Sequence, residues 1–121
     1  MKREEPAGER QTAVPEAWLG AVGICAKAGR TVCGTQMICE ALKKKEKPVL
    51  VIAAGDNSQN TEKRLRDRCA YYHVPLYLTQ TDGERLAKAV GKGNRISAVA
   101  ITEERLGRMV AEKLPQRTES E

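Results

Sequence analysis

Val49-Leu50-Val51-Ile52-Ala53-Ala54, followed directly by Gly55-Asp56-Asn57-Ser58, decides the fold of this chain. The apolar run is short and rich in β-branched residues. It lacks the alternation of a strand with one wet face, so it reads as a central strand buried on both sides. Pro48 introduces it. The Gly-Asp-Asn-Ser that follows is turn and capping chemistry, so a helix should start near Gln59. A strand buried on both sides needs helices above and below its sheet.

The flanking segments supply them. Downstream, Gln59 to Tyr72 reads as a largely solvated helix with Leu65, Cys69 and Tyr72 inward. Val74-Pro75-Leu76-Tyr77-Leu78 reads as a strand. Thr81-Asp82 caps a helix with Leu86, Ala89 and Val90 inward, and Ile96 to Ile101 forms a third clear strand. Thr102 is expected to cap a last helix, with Glu103 and Glu104 in its first turn and Leu106, Met109 and Val110 facing in.

Upstream, a helix is expected from Pro15 to about Ala28, with Trp18, Leu19, Val22, Cys25 and Ala26 on one apolar face. In it, Gly20 and Gly23 weaken the helix or permit close packing. Thr31-Val32-Cys33 is a very short extended piece. A second helix should run from Gly34-Thr35 to about Lys45, burying Met37, Ile38, Ala41 and Leu42, with Lys43-Lys44-Lys45 in its last turn. Strands alternating with helices imply a layered α/β sheet with helices on both faces. Residues 1–14 read as a disordered leader, 15–114 as one domain and 115–121 as a frayed tail.

The chain has 121 residues, enough for one domain, with 40% hydrophobic and 31% charged residues, as in a soluble globular protein. It has no Phe, one Trp and three Tyr, so the core must be aliphatic and RNA modules that stack unpaired bases on Phe or Tyr are disfavoured. The net charge of +5 and pI near 9.2 suit a nucleic-acid partner without requiring one. No apolar run is long enough for a membrane span and no secretory signal opens the chain, so a cytoplasmic location is expected.

Catalytic signatures are weak. Cys25, Cys33, Cys39 and Cys69 contain no C-x-x-C pair and read as reduced core residues, so neither a zinc site nor a disulfide framework is expected. His73, the lone histidine, reads as a capping or packing residue. Gly91-Lys92-Gly93 follows a helix and precedes a strand, the reverse of a dinucleotide phosphate loop. Neither an enzyme nor a cofactor site is expected.

A binding face is easier to assemble. Three element ends carry small or amide side chains: the Gly34-Thr35-Gln36 helix start, the Asp56-Asn57-Ser58 turn and the Gly91-to-Ser97 loop. A helix start offers free N–H groups and partial positive charge to a phosphate or base edge. Thr35 can cap its helix or contact phosphate. Gln36 offers both a donor and an acceptor. Lys27, Arg30, Lys92 and Arg95 would neutralise phosphates. Read without reference to any family, the same residues also fit ordinary caps and solvated cations.

The order of several pieces adds information. Val22 to Gly34 (VGICAKAGRTVCG), Lys47 to Thr61 (KPVLVIAAGDNSQNT), Cys69 to Pro75 (CAYYHVP), Leu86 to Lys92 (LAKAVGK) and Ala98 to Thr102 (AVAIT) together resemble the bacterial branch of the ribosomal protein L-seven-Ae family. The resemblance covers about residues 16 to 113. It implies a three-layer α/β/α sandwich of the ribosomal L-thirty-e type with a mixed central sheet, and a monomer that binds structured RNA, either ribosomal RNA or a kink-turn. The family's Gly-Thr-Asn-Glu-x-x-Lys motif would fall on Gly34, Thr35, Gln36, Met37 and Glu40. Gln36 keeps the amide of the family asparagine. Met37 stands where a glutamate reads a bulged guanine, and Glu40 stands in place of a lysine. The second contact loop would be Gly91-Lys92-Gly93-Asn94-Arg95-Ile96-Ser97, bringing Asn94 and Ile96 into the RNA face. Met37 and Glu40 keep a second reading open, a protein-interaction module on the same fold.

Overall fold

A computed structural model of the chain describes residues 16–115. The expected leader, Pro15 and residues 116–121 lie outside the described residues. The chain runs α1 (Ala17–Lys27), β1 (Thr31–Cys33), α2 (Thr35–Leu42), β2 (Leu50–Ala53), α3 (Gln59–Tyr71), β3 (Leu76–Leu78), α4 (Gly83–Ala89), β4 (Ala98–Ile101) and α5 (Glu104–Lys113).

The strands form one mixed sheet in the order β1-β4-β2-β3. β4 lies antiparallel to both β1 and β2, with Val32 and Val51 each opposite Ala100, and β2 runs parallel to β3. The run that decided the fold is therefore central, and every residue of Leu50–Ala53 and of Ala98–Ile101 is buried.

Strand alternation divides the core into two clusters. Leu50, Ile52, Val99 and Ile101 pack against Trp18, Ala21, Val22 and Cys25 of α1, Leu86 of α4 and Val110 of α5. Val51, Ala53, Ala98 and Ala100 face the other way, against Ile38 and Leu42 of α2 and Leu65 and Cys69 of α3. The fold is thus a three-layer α/β/α sandwich with α1, α4 and α5 on one side and α2 and α3 on the other.

Local chemistry explains most element ends. Ser58 caps α3 by accepting the Thr61 N–H, and Asp82 caps α4 by accepting the Arg85 N–H. His73 ends α3 in the left-handed region at φ 60°. A Cβ on Gly23 would sit 2.9 Å from the Ala89 carbonyl, so the glycine lets α1 approach α4 closely. The Tyr77 hydroxyl donates to the Pro115 carbonyl and ties edge strand β3 to the residue that follows α5.

Several expectations are corrected. Met37 is not buried: it is 60% exposed, and Cys39 takes the core position beside Ile38 and Leu42. Once α2 starts at Thr35, residue 37 turns away from the sheet with Gln36 and Glu40. α2 also ends at Leu42, so Lys43-Lys44-Lys45 follow the helix instead of forming its last turn. Thr102 does not cap α5. Its N–H donates to the Arg30 carbonyl, extending the β1–β4 pairing, and Glu103 caps the helix by accepting the N–H groups of Arg105 and Leu106. Val74 and Pro75 precede β3, Ile96 and Ser97 precede β4, and α1 starts at Ala17. In α1 the fully buried set includes Ala21, while Leu19 and Ala26 are half-buried. In α4, Ala87 is buried and Ala89 and Val90 are half-buried.

Candidate nucleic-acid interface

Three of the singled-out element ends meet at one end of the sheet, and Ser97 joins them. Its Oγ accepts the Thr35 N–H at 3.0 Å and lies 2.6 Å from Thr35 Oγ1. Its carbonyl accepts the Ala54 N–H at 2.9 Å and Asn57 Nδ2 at 3.0 Å. One residue thus fixes the start of α2, the end of β2 and the turn after it. The Gly34 N–H donates to the Ala98 carbonyl at 2.9 Å.

Gly34 turns the chain from β1 into α2 at φ 92° and ψ 147°, a conformation open essentially to glycine alone. Because Gly34 has no side chain to cap the helix, Ser97 supplies the cap from the loop before β4. The Ile38 N–H is satisfied by the Gly34 carbonyl. The N–H groups of Gln36 and Met37 have no acceptor among the described residues, and both side chains are exposed. These two donors carry the positive end of the helix dipole. Glu40, on the same exposed face, lies 3.7 Å from the Lys43 ammonium, which partly offsets its charge.

Arg95 braces the second side. Its Nη2 donates to Asp56 Oδ1 at 2.7 Å and to Asn57 Oδ1 at 2.9 Å, and its Nε donates to Asp56 Oδ2 at 3.4 Å. Asp56 Oδ1 also accepts the Gly83 N–H at 2.9 Å. The Arg95 hydrogen bond, helped by the Gly83 N–H, holds the Asp56 carboxyl below the usual carboxylate range against the upward push of desolvation. Arg95 therefore faces this end of the sheet as a strut, with its Nη1 group unused among the described residues.

The remaining candidates divide. Lys92 is exposed, and its charge draws the Cys33 thiol pKa down against the larger upward push of burial, which sets Lys92 beside the end of β1. Asn94 is exposed on the same loop. Ile96 is half-buried and packs against the α1-side core. Arg30 lies at the far end of β1 from Gly34, where its carbonyl accepts the Thr102 N–H at 3.0 Å. Lys27 lines a groove of about 540 Å³ between α1 and α4, beside Lys88 and Arg85. The structure does not bring Arg30 to the Thr35–Ser97 junction.

Ser97, Asp56 and Asn57 are the site residues that sequence reasoning underweighted. The turn had been singled out, but its pairing with Arg95 depends on a separation of 39 positions that no local pattern reveals. Among the described residues no group of His, Cys, Asp and Glu could hold a metal ion, and no helix is long and apolar enough to cross a membrane. Cys25, Cys39 and Cys69 are buried free thiols, and Cys33 is a half-buried one.

A mixed-sheet α/β/α sandwich with an open helix start beside a glycine-rich basic loop defines a class of small sandwich domains. The chain belongs to the ribosomal protein L7Ae/L30e/S12e/Gadd45 family, whose model matches residues 16–112. It is similar to the RNA-binding protein YlxQ of Bacillus subtilis (strain 168), with 30% identity over 87 residues that cover 72% of this chain and 84% of the relative. It is also similar to the RNA-binding protein YlxQ of Enterococcus faecium, with 27% identity over 92 residues that cover 76% and 82%. Among solved structures, a protein of unknown function from Bacillus halodurans C superposes with a TM-score of 0.73 at 26% identity, covering 81% of this chain and 96% of that one. The Giardia lamblia 15.5kD RNA binding protein shares the fold, with a TM-score of 0.66 at 22% identity over 82% and 86% of the two chains.

Proposed function

We propose that this protein binds structured RNA containing a sharp bend of the kink-turn type, through the face made by the start of α2 and the Gly91-to-Ser97 loop. The observation that carries this reading is the Thr35–Ser97 junction. It locks the two contact elements together and leaves the Gln36 and Met37 N–H groups open to solvent. Membership of a family with relatives named as RNA-binding supports it.

Each group then has a distinct role. The paired N–H groups receive a phosphate or a base carbonyl, and the Gln36 amide reads a base edge. Lys92 neutralises a backbone phosphate. Asn94 and the free Nη1 of Arg95 add donors, while Asp56 keeps the loop in place. Gly34, Thr35 and Ile96 hold the frame. Arg30, at the far end of β1, and Lys27, in the α1–α4 groove, supply long-range positive field.

The test is equilibrium binding of a kink-turn hairpin to Gln36→Ala and Lys92→Ala. Gln36→Ala should weaken binding about two- to tenfold. Lys92→Ala should weaken it and lower the slope of log affinity against log salt by about 1. Unchanged affinity and slope in both variants would sink the assignment. Met37, 60% exposed beside this face, favours the second reading, a protein-interaction surface, which predicts those unchanged values.

A further inference from the structure

The outer surface shared by α2 and α3 sets arginines and lysines around an exposed tyrosine. On α3, Lys63 is paired with Asp67 at 2.8 Å and Arg66 with Glu62 at 2.9 Å, each by i,i+4 contacts. Those four residues occupy one side of the helix. Arg64 and Arg68 project from the other side, the side of Tyr72, and neither has a carboxylate partner among the described residues.

Tyr71 continues this side. It is 74% exposed. The ring is held edge-to-face on Tyr72, with centroids 4.8 Å apart and an interplanar angle of 84°. Lys47 lies 5.6 Å from the centre of the Tyr72 ring and also donates to the Lys44 carbonyl at 3.1 Å. That link sets the Lys43-Lys44-Lys45 segment beside the tyrosine pair. Glu40 and Glu46 are the only acidic residues in the α2–β2 connection and the exposed α2 face, so the patch is strongly positive.

We propose that this surface is a second RNA contact, which holds a single-stranded segment with one base stacked on Tyr71 and its phosphates against Arg64, Arg68 and the lysines. Composition disfavours a platform of several aromatics, but one base needs only one ring. Base–aromatic stacking tolerates any base, so the site would be indifferent to sequence. The contact lies beyond the opposite end of α2 from the Thr35–Ser97 junction, and a helix of 8 residues spans about 12 Å. It is placed to grip a strand leaving a bent RNA. It rests on the RNA reading only for the identity of its ligand.

The test uses the full chain and two labelled probes, a twelve-nucleotide oligouridine and a kink-turn hairpin with no overhang, both read by fluorescence anisotropy. Wild type should bind the oligouridine. Tyr71→Ala should weaken that binding about tenfold, Tyr71→Phe should keep it within about twofold, and Arg64→Ala with Arg68→Ala should lower its salt slope by about 1 or more. Lys92→Ala should weaken the hairpin and spare the oligouridine. Because Tyr71 is exposed, its substitution leaves the core intact, and an unchanged urea midpoint verifies this. Loss of hairpin binding with Tyr71-dependent oligouridine binding would refute the first face and leave this proposal standing. A wild type that ignores oligouridine, or a Tyr71→Ala variant that binds it as tightly as wild type, overturns the proposal.

Discussion

Thr35 and Ser97, 62 positions apart, place their hydroxyl oxygens 2.6 Å from each other, and the same Ser97 oxygen accepts the Thr35 backbone N–H. This pair turns two separate contact segments into one surface. It also makes the cap of α2 a tertiary contact, because the N-cap residue Gly34 has no side chain to do the work.

Ser97→Ala should therefore cost both stability and binding. The loss of a capping hydroxyl and its partner's hydrogen bond is about 1–2 kcal/mol, read as a shift in the urea midpoint at constant slope. A double cycle with Thr35→Val should be less than additive, since both changes remove the same link. Additive losses would mean the two hydroxyls act separately.

Gly34→Ala tests backbone strain alone. A Cβ there would meet nothing within 4 Å, yet φ is 92°. The expected destabilisation is about 1–3 kcal/mol, with α2 displaced at its start. A neutral effect on melting would show that the turn adopts another conformation.

Acid should loosen the loop through Asp56. Arg95 and the Gly83 N–H hold the Asp56 carboxyl below the usual range, and the Leu106 and Arg105 N–H groups hold Glu103 down at the start of α5. Groups with depressed native values contribute stability that is fully present above their unfolded values, about 3.9 for Asp and 4.3 for Glu. That contribution disappears as pH falls through the lower native values. Melting temperature should hold steady from neutral pH to about 5 and fall below 4. Asp56→Asn should flatten part of that fall, and an identical acid profile in the variant would contradict the Arg95 assignment.

How much of this was visible in the sequence follows from the range of each interaction. The Val49–Ala54 run, the Ser58 and Asp82 caps and the short Thr31–Cys33 piece depend on neighbours in the chain and were legible there. Met37 was misread because its apolar side chain sits four positions before Ala41, although Cys39 takes the core place, and Thr102 because its N–H turns toward Arg30 and Glu103 caps α5. Ser97 and the Arg95–Asp56 strut carry no local signal. The remoteness of Arg30 follows from the antiparallel register of β1 on β4, which places it beside Thr102.

The thiols offer a check on the core. Burial raises the Cys25 and Cys33 values, and burial with the neighbouring Cys39 pushes Cys69 up to about 11. Thiolates, not thiols, react with a disulfide reagent. Native protein at pH 8 should therefore expose Cys33 first and slowly, and release the other three only on unfolding. Rapid reaction of all four in the native state would contradict the packing of α1, α2 and α3.

The most direct measurement is the ratio of affinities for a kink-turn hairpin and for a straight duplex of the same composition, titrated side by side at one salt concentration. Recognition of a bend by the Gln36–Ser97 face predicts at least about tenfold tighter binding to the kink-turn, with the preference reduced in Gln36→Ala, since phosphate contacts alone do not discriminate shape. Equal, weak and strongly salt-dependent binding to both RNAs would contradict it.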